Sequence, residues 1–212
     1  AVFAALAAAP YDRAPLTTTD ELVALPAPQL EWSVPWVPAL GVRLHFGLDG
    51  VNAPLVLLTS LLGLLCCGYL VRVRPAAGRV RALAACVLAV EAGALATFCA
   101  FDLLVLFVAF EVVLVPMWFV IAMWGDDTQE GGERTRRDAA NRLVVFTVVG
   151  SALMLLGLLL VALEAGTTDL TQLAAGGLRV GGEARDNGLG PTTATVAAVL
   201  IVAGLAVKAP MF

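Results

Sequence analysis

Charge is scarce in this chain of 212 residues: 14% are Asp, Glu, Lys or Arg, and there is one histidine and one lysine. So little charge cannot clothe the surface of a water-soluble domain, and a net value of -4 offers no basic surface to nucleic acid. The four cysteines, Cys66, Cys67, Cys86 and Cys99, lie inside apolar runs without metal-ligand or disulfide-framework spacing, which predicts small core hydrophobes. No haem, iron-sulfur or nucleotide motif is present, so no cofactor and no metal site is expected in this chain. No repeat of solenoid length is visible. Residues 1–9 are apolar but too short to span a bilayer, and they lack the charged start of a signal peptide. They are expected to be the end of a truncated helix, and the apolar run that reaches Phe212 is expected to continue beyond it.

What the chain has in abundance is apolar side chains: 60% of its residues, with a mean hydropathy of +0.90. Five runs have the roughly 20 apolar residues that crossing a bilayer requires, over residues 51–71, 82–100, 102–124, 143–163 and 192–212. The class predicted is an all-α polytopic transmembrane helix bundle forming one membrane domain, incomplete at both ends. Residues 10–50, rich in proline and holding Trp32 and Trp36, suit a loop at headgroup level, with an extended piece over residues 42–46.

Arginine sets the expected orientation. Arg72, Arg74, Arg79 and Arg81 crowd one short connection, and Arg134, Arg136, Arg137 and Arg142 crowd another that lies on the same side if the spans alternate. The positive-inside rule makes that side, called cis below, cytoplasmic, and the segment 10–50 falls on the trans side. Small residues in the second span, including Gly93, and Gly150, Ser151 and Gly157 in the fourth predict close helix approach.

Three ionisable side chains fall well inside the spans, where an unpaired charge costs several kcal/mol: Glu91, Glu111 and Lys208. Lys208 is the sole lysine among thirteen basic residues, and counted from Thr195 it sits roughly 20 Å along its helix at ~1.5 Å per residue. Arginine stays protonated in practice, whereas a desolvated lysine can surrender its proton, so this choice of residue suits proton loading and release. Pro210, two residues on, is expected to break the helix, which membranes tolerate where the backbone lines an ion path. Glu111 is flanked by Phe107, Phe110, Val112 and Val115, and Pro116 weakens the helix one turn later. A lysine close to Glu111 would couple the two protonation states. Glu91 is either a second relay group or a neutral hydrogen bonder. Asp102 is expected to cap its helix, and His45 to lie at the trans interface.

Four stretches, WVPALGVRLHFGLDGVNAPLVLLTSLLG, FDLLVLFVAFEVVLVPMWFVIAMWG, RLVVFTVVGSALMLLG and GLAVKAPMF, cover most of residues 32–212. In this order the chain resembles the family of antiporter-like M subunits (chain 4) of NADH-quinone oxidoreductase, respiratory complex I. The second stretch is the most specific, with its membrane glutamate, Pro-Met-aromatic turn and closing Trp-Gly. The resemblance implies an internal fragment of a larger proton-translocating membrane subunit in which Glu111 and Lys208 form the essential pair, with Glu91 as a further candidate. It implies no redox chemistry in this chain: NADH, FMN, iron-sulfur clusters and quinone would belong to partner subunits. The partners implied are neighbouring membrane subunits, the lipid bilayer and protons, in a bacterial inner (plasma) membrane. Arg142 stands where the family often has lysine, which keeps the charge and argues against titration there. Two other readings remain at this point: a subunit of a cation/proton antiporter using the same pair, and a non-conducting scaffold, which would need no lysine at that depth.

Overall fold

The computed structural model describes residues 29–38, 41–72, 79–125, 132–176, 179–180, 183–184 and 190–208. The expected helix end over residues 1–9, the first part of the trans loop and the break at Pro210 lie outside them. A hairpin comes first, β1 (Gln29–Val37) antiparallel to β2 (Val42–Leu48). Then follow α1 (Asn52–Arg72), α2 (Val80–Cys99), α3 (Leu103–Val112), α4 (Leu114–Trp124), α5 (Glu133–Ala165), α6 (Leu170–Gly176) and α7 (Pro191–Lys208). Arg179–Val180 and Glu183–Ala184 form a two-residue ladder between α6 and α7. With α3 and α4 taken together, five helices are long and apolar enough to cross a membrane.

The helix bounds follow from local chemistry. Asp49 accepts from the Val51 and Asn52 amides at 2.8 and 2.6 Å while Asn52 Oδ1 accepts from the Asp49 amide at 2.8 Å, a reciprocal cap that starts α1. Asn52 also donates to the carbonyls of Gly47 and Phe98, joining the hairpin and the end of α2 to the start of α1. The helix α5 begins at Glu133, ten residues before the apolar run that predicts its span. No glycine or proline interrupts residues 133–149, so Arg134, Arg136, Arg137 and Arg142, expected largely in a loop, ride on a helical extension about 15 Å long at ~1.5 Å per residue. The third apolar run is interrupted at Val113, whose φ of -62° and ψ of -28° keep the helical sense while the ladder breaks. Pro116 has no amide to give the Val112 carbonyl, and its ring crowds that carbonyl, so the break falls three residues ahead of it and two after Glu111.

The trans ends are tied by hydrogen bonds rather than by apolar mass. Asp102, 1% exposed, caps α3 through the Leu104 and Val105 amides at 2.9 and 3.1 Å. It also accepts from the Thr168 hydroxyl at 2.5 Å and the Arg43 amide at 3.4 Å. Around it the backbone is stitched from Phe101 N–H to the His45 carbonyl, Leu103 N–H to the Thr168 carbonyl and Leu170 N–H to the Phe101 carbonyl, each 2.8 Å. Asp169 caps α6 by accepting from the Thr171 amide and hydroxyl at 2.8 and 2.5 Å. Val42, Ala100 and Val105 form a small apolar cluster beneath this cap. A second cluster, Leu103, Met154 and Leu158 with Phe107, Phe110 and Ile201, fills the space between α3, α5 and α7. The cysteines are free; Cys66 faces outward from α1 and the other three are half-buried. The reading of all four as core side chains is therefore corrected for Cys66, which is exposed among the described residues.

Two outcomes follow for the trans cap. Asp102→Ala removes a buried cap with four donors, so the full-length protein in detergent should lose about 2 kcal/mol or more of unfolding free energy, seen as a lower thermal midpoint. Burial alone would raise the pKa of Asp169, but the Thr171 hydroxyl and amide, His45 and the Gln172 amide together hold it below its ordinary value of 3.8. Its stabilisation is thus full above pH 3.8 and is lost as pH falls through the lower folded value. Hydrogen-exchange protection of the Thr171 and Gln172 amides should fall across that window in the wild type and show no such step in Asp169→Asn.

Candidate functional site

The most extensive contact between helices is that of α5 with α7, and glycine makes it close. A Cβ on Gly150 would stand 2.9 Å from the Gly204 carbonyl oxygen, and one on Gly204 would stand 2.5 Å from the Gly150 carbonyl and 2.7 Å from the Met154 amide. Neither position accepts a side chain without parting the helices. One turn along α7 from Gly204 comes Lys208, roughly 25 Å from the trans-side start of its helix at ~1.5 Å per residue.

Lys208 Nζ meets Glu111 Oε1 in a contact that is both hydrogen bond and ion pair. The lysine side chain is 10% exposed and the glutamate side chain 24%. The ammonium also lies 3.8 Å from the centroid of the Phe110 ring, whose face attracts a cation. Ser151, on α5 beside Gly150, completes the site: its Oγ is 2.6 Å from Glu111 Oε1 and 2.7 Å from the Thr147 carbonyl oxygen. Four elements thus converge, α3 supplying the carboxylate, α7 the amine, α5 the hydroxyl, and the interrupted ladder before α4 the local freedom beside Glu111. Chemically the arrangement can hold one proton between an amine and a carboxylate, with a hydroxyl that donates to the carboxylate.

The structure brings Glu111 and Lys208 together and leaves Glu91 apart. Glu91 projects from α2 onto Gly63 of α1, where a Cβ on the glycine would fall within the space of the carboxyl group. Arg142 lies about 13 Å along α5 from Ser151 at ~1.5 Å per residue and lines a cis-side hollow with Asp138, Asn141, Val145 and Phe146. His45 is buried, 2% exposed, with Nδ1 3.0 Å from Asp169 Oδ2 and Nε2 2.9 Å from Glu31 Oε1. It lies on strand β2 of the hairpin and belongs to the trans cap. Among the described residues no group of His, Cys, Asp and Glu could hold a metal ion. Ser151 is the site residue that sequence reasoning did not assign, having taken it only as a small packing residue; its link to Glu111 spans 40 residues and leaves no signal in the local sequence.

Comparison with known proteins gives a consistent picture. A family described as NADH:quinone oxidoreductase/Mrp antiporter, transmembrane, matches residues 100–212. NADH-quinone oxidoreductase subunit M of Escherichia coli (strain K12) is 32% identical over 137 residues, which is 64% of this chain and 26% of that protein. The chain therefore spans about a quarter of the length of that curated relative. Among solved structures, respiratory complex I from Thermus thermophilus with bound NADH contains a chain 28% identical, with a TM-score of 0.66 over 90% of this chain and 36% of that one. The Mrp complex from Dietzia sp. DQ12-45-1b contains one 26% identical, with a TM-score of 0.56 over 84% of this chain and 18% of that one.

The two glycine contacts give a measurable outcome. Gly204→Leu should force α7 from α5 and lower the thermal midpoint of the full-length protein by what about 1–3 kcal/mol of overpacking produces. Gly63→Val should cost a similar amount, and less when Glu91 is already alanine; a double-mutant cycle on the two positions should show that coupling.

Proposed function

The chain belongs to the NADH:quinone oxidoreductase/Mrp antiporter transmembrane family, and from that premise we propose that its full-length protein is a proton-translocating membrane subunit of an NADH-quinone oxidoreductase. The observation that carries this reading is the sole lysine of the chain in contact with Glu111 at span depth. An ammonium and a carboxylate in contact can exchange into an amine and a carboxylic acid by moving one proton, and each group's proton affinity depends on where the other stands. Electron transfer from NADH to quinone, in partner subunits that hold FMN, iron-sulfur clusters and the quinone, would shift the separation of the pair. Proton uptake and release would follow. Glu111 and Lys208 act as the relay, and Glu91, seated on Gly63, is either a second relay group or a neutral hydrogen bonder between α1 and α2.

On this reading the protein sits with its arginine-rich end toward the cytoplasm in a bacterial inner membrane, flanked by other antiporter-like subunits. The membrane placement itself rests on five apolar helices and on the family. The likeness to a chain of the Mrp complex favours one alternative, a cation/proton antiporter subunit that drives the same pair with a sodium or potassium gradient instead of redox energy.

The test uses the full-length protein in its assembled complex, in inverted membrane vesicles. Glu111→Gln or Lys208→Ala should abolish NADH-driven acidification of the lumen while leaving the amount of assembled complex unchanged. Normal pumping in either variant would remove the role. Exchange driven by a sodium gradient, with no flavin or iron-sulfur partner co-purifying, would favour the antiporter.

A further inference from the structure

The hydroxyl of Ser151 stands between two acceptors and owns one proton. Its Oγ is 2.6 Å from Glu111 Oε1 and 2.7 Å from the carbonyl oxygen of Thr147 on its own helix. Both distances suit an O–H donor, yet only one can be served at a time. Lys208 Nζ addresses the same Oε1. The residue is 5% exposed and is the neighbour of Gly150 in the seam of α5 with α7.

Resting on the proton-relay reading above, we propose that Ser151 is a positioning residue whose hydroxyl changes hydrogen-bond partner with the protonation state of Glu111. While Glu111 is a carboxylate, Oε1 is the stronger acceptor, because a hydrogen bond to a charged oxygen is roughly twice as strong as one to a neutral carbonyl. The Ser151 proton then points at Glu111. When Lys208 gives its proton to Glu111, the ammonium becomes an amine and the carboxylate a carboxylic acid, with no change in total charge. As Lys208 withdraws, the new Oε1–H donates to Ser151 Oγ, and the serine proton turns to the Thr147 carbonyl, which lies waiting on the other side. The serine proton rotates and is never transferred. Both forms of Glu111 therefore stay hydrogen-bonded to Ser151 without movement of a heavy atom of either residue, which removes the desolvation cost that an unpaired group would otherwise meet in one of the two states.

A merely structural serine and a partner-changing one differ in what they do to the acid form of Glu111. In the full-length protein, infrared difference spectra on acidification should contain a protonated-carboxyl stretch that disappears in Glu111→Gln. In Ser151→Ala, which removes the acceptor of the acid proton, that band should move to higher frequency. Ser151→Cys, close in size but a weak hydrogen bonder, should behave like alanine. Ser151→Thr, which keeps the hydroxyl, should recover the wild-type frequency. NADH-driven pumping in the assembled complex should fall about tenfold in Ser151→Ala, the factor that losing about 1.4 kcal/mol gives, and should recover in Ser151→Thr. An unmoved band in Ser151→Ala, with the band still lost in Glu111→Gln, would overturn the serine proposal and leave the Glu111-Lys208 relay standing. Undiminished pumping in Glu111→Gln would instead overturn the relay, and this proposal with it.

Discussion

Within a bilayer an ammonium and a carboxylate are each costly alone and tolerable in contact, and that constraint organises this chain. The pair Glu111-Lys208 joins two helices that are not neighbours in sequence, one of which runs inward from the trans side and delivers its lysine roughly 25 Å along its axis at ~1.5 Å per residue. Contact alone would make a static ion pair. On the proposed relay, the geometry is useful because the pair keeps part of its surface exposed and stands beside a break in the glutamate's helix, which would let the separation of the two charges change without unfolding either helix. A shared proton whose owner depends on a distance is a device that converts movement into charge transfer.

The pair depends in turn on the glycine seam. Gly150 and Gly204 bring the backbones of α5 and α7 closer than any residue with a Cβ would allow, and the lysine follows one turn after the second glycine. The seam therefore fixes the position of α7 along α5, and with it the height of Nζ relative to Glu111. Ser151 is the immediate neighbour of Gly150, so the same close approach presents its hydroxyl to the carboxylate. The packing that holds the helices and the chemistry that they present are set by adjacent residues on one helix face.

Much of this could be read without coordinates, and the omissions have physical causes. Hydropathy alone marks five spans, because the length of an apolar run is dictated by membrane thickness and needs no tertiary information. Glu111 and Lys208 stand out for a similar reason: a charge inside an apolar run is visible wherever the chain folds. The start of α5 was not visible, since Glu133 and the arginines after it are good helix formers that hydropathy counts as loop. The burial of His45 was not visible, because its partners are Glu31 on the facing strand and Asp169, more than a hundred residues away. Ser151 was taken for a spacer because a serine beside two glycines has the composition of a packing face, and only the position of Glu111 reveals its hydroxyl as part of the site.

The two regions of the protein are held by different forces, and the difference bears on how it can work. The trans cap is a network of short hydrogen bonds in which Asp102 alone answers four donors, linking the hairpin, the loop before α3 and the loop after α5. Bonds of that kind have narrow distance ranges and resist sliding. The charge pair, by contrast, stands beside the interrupted ladder at Val113 and one turn from the glycine seam that sets the height of Lys208. On the proposed relay, a displacement imposed on Glu111 would be taken up at the broken ladder at Val113 rather than at the cap or the seam. The cap anchors the trans-side ends of α3 and α5 and so holds Glu111 and Ser151 in register, while the seam one turn from Lys208 does the same for the amine. That leaves the α3–α4 break as the joint beside the pair.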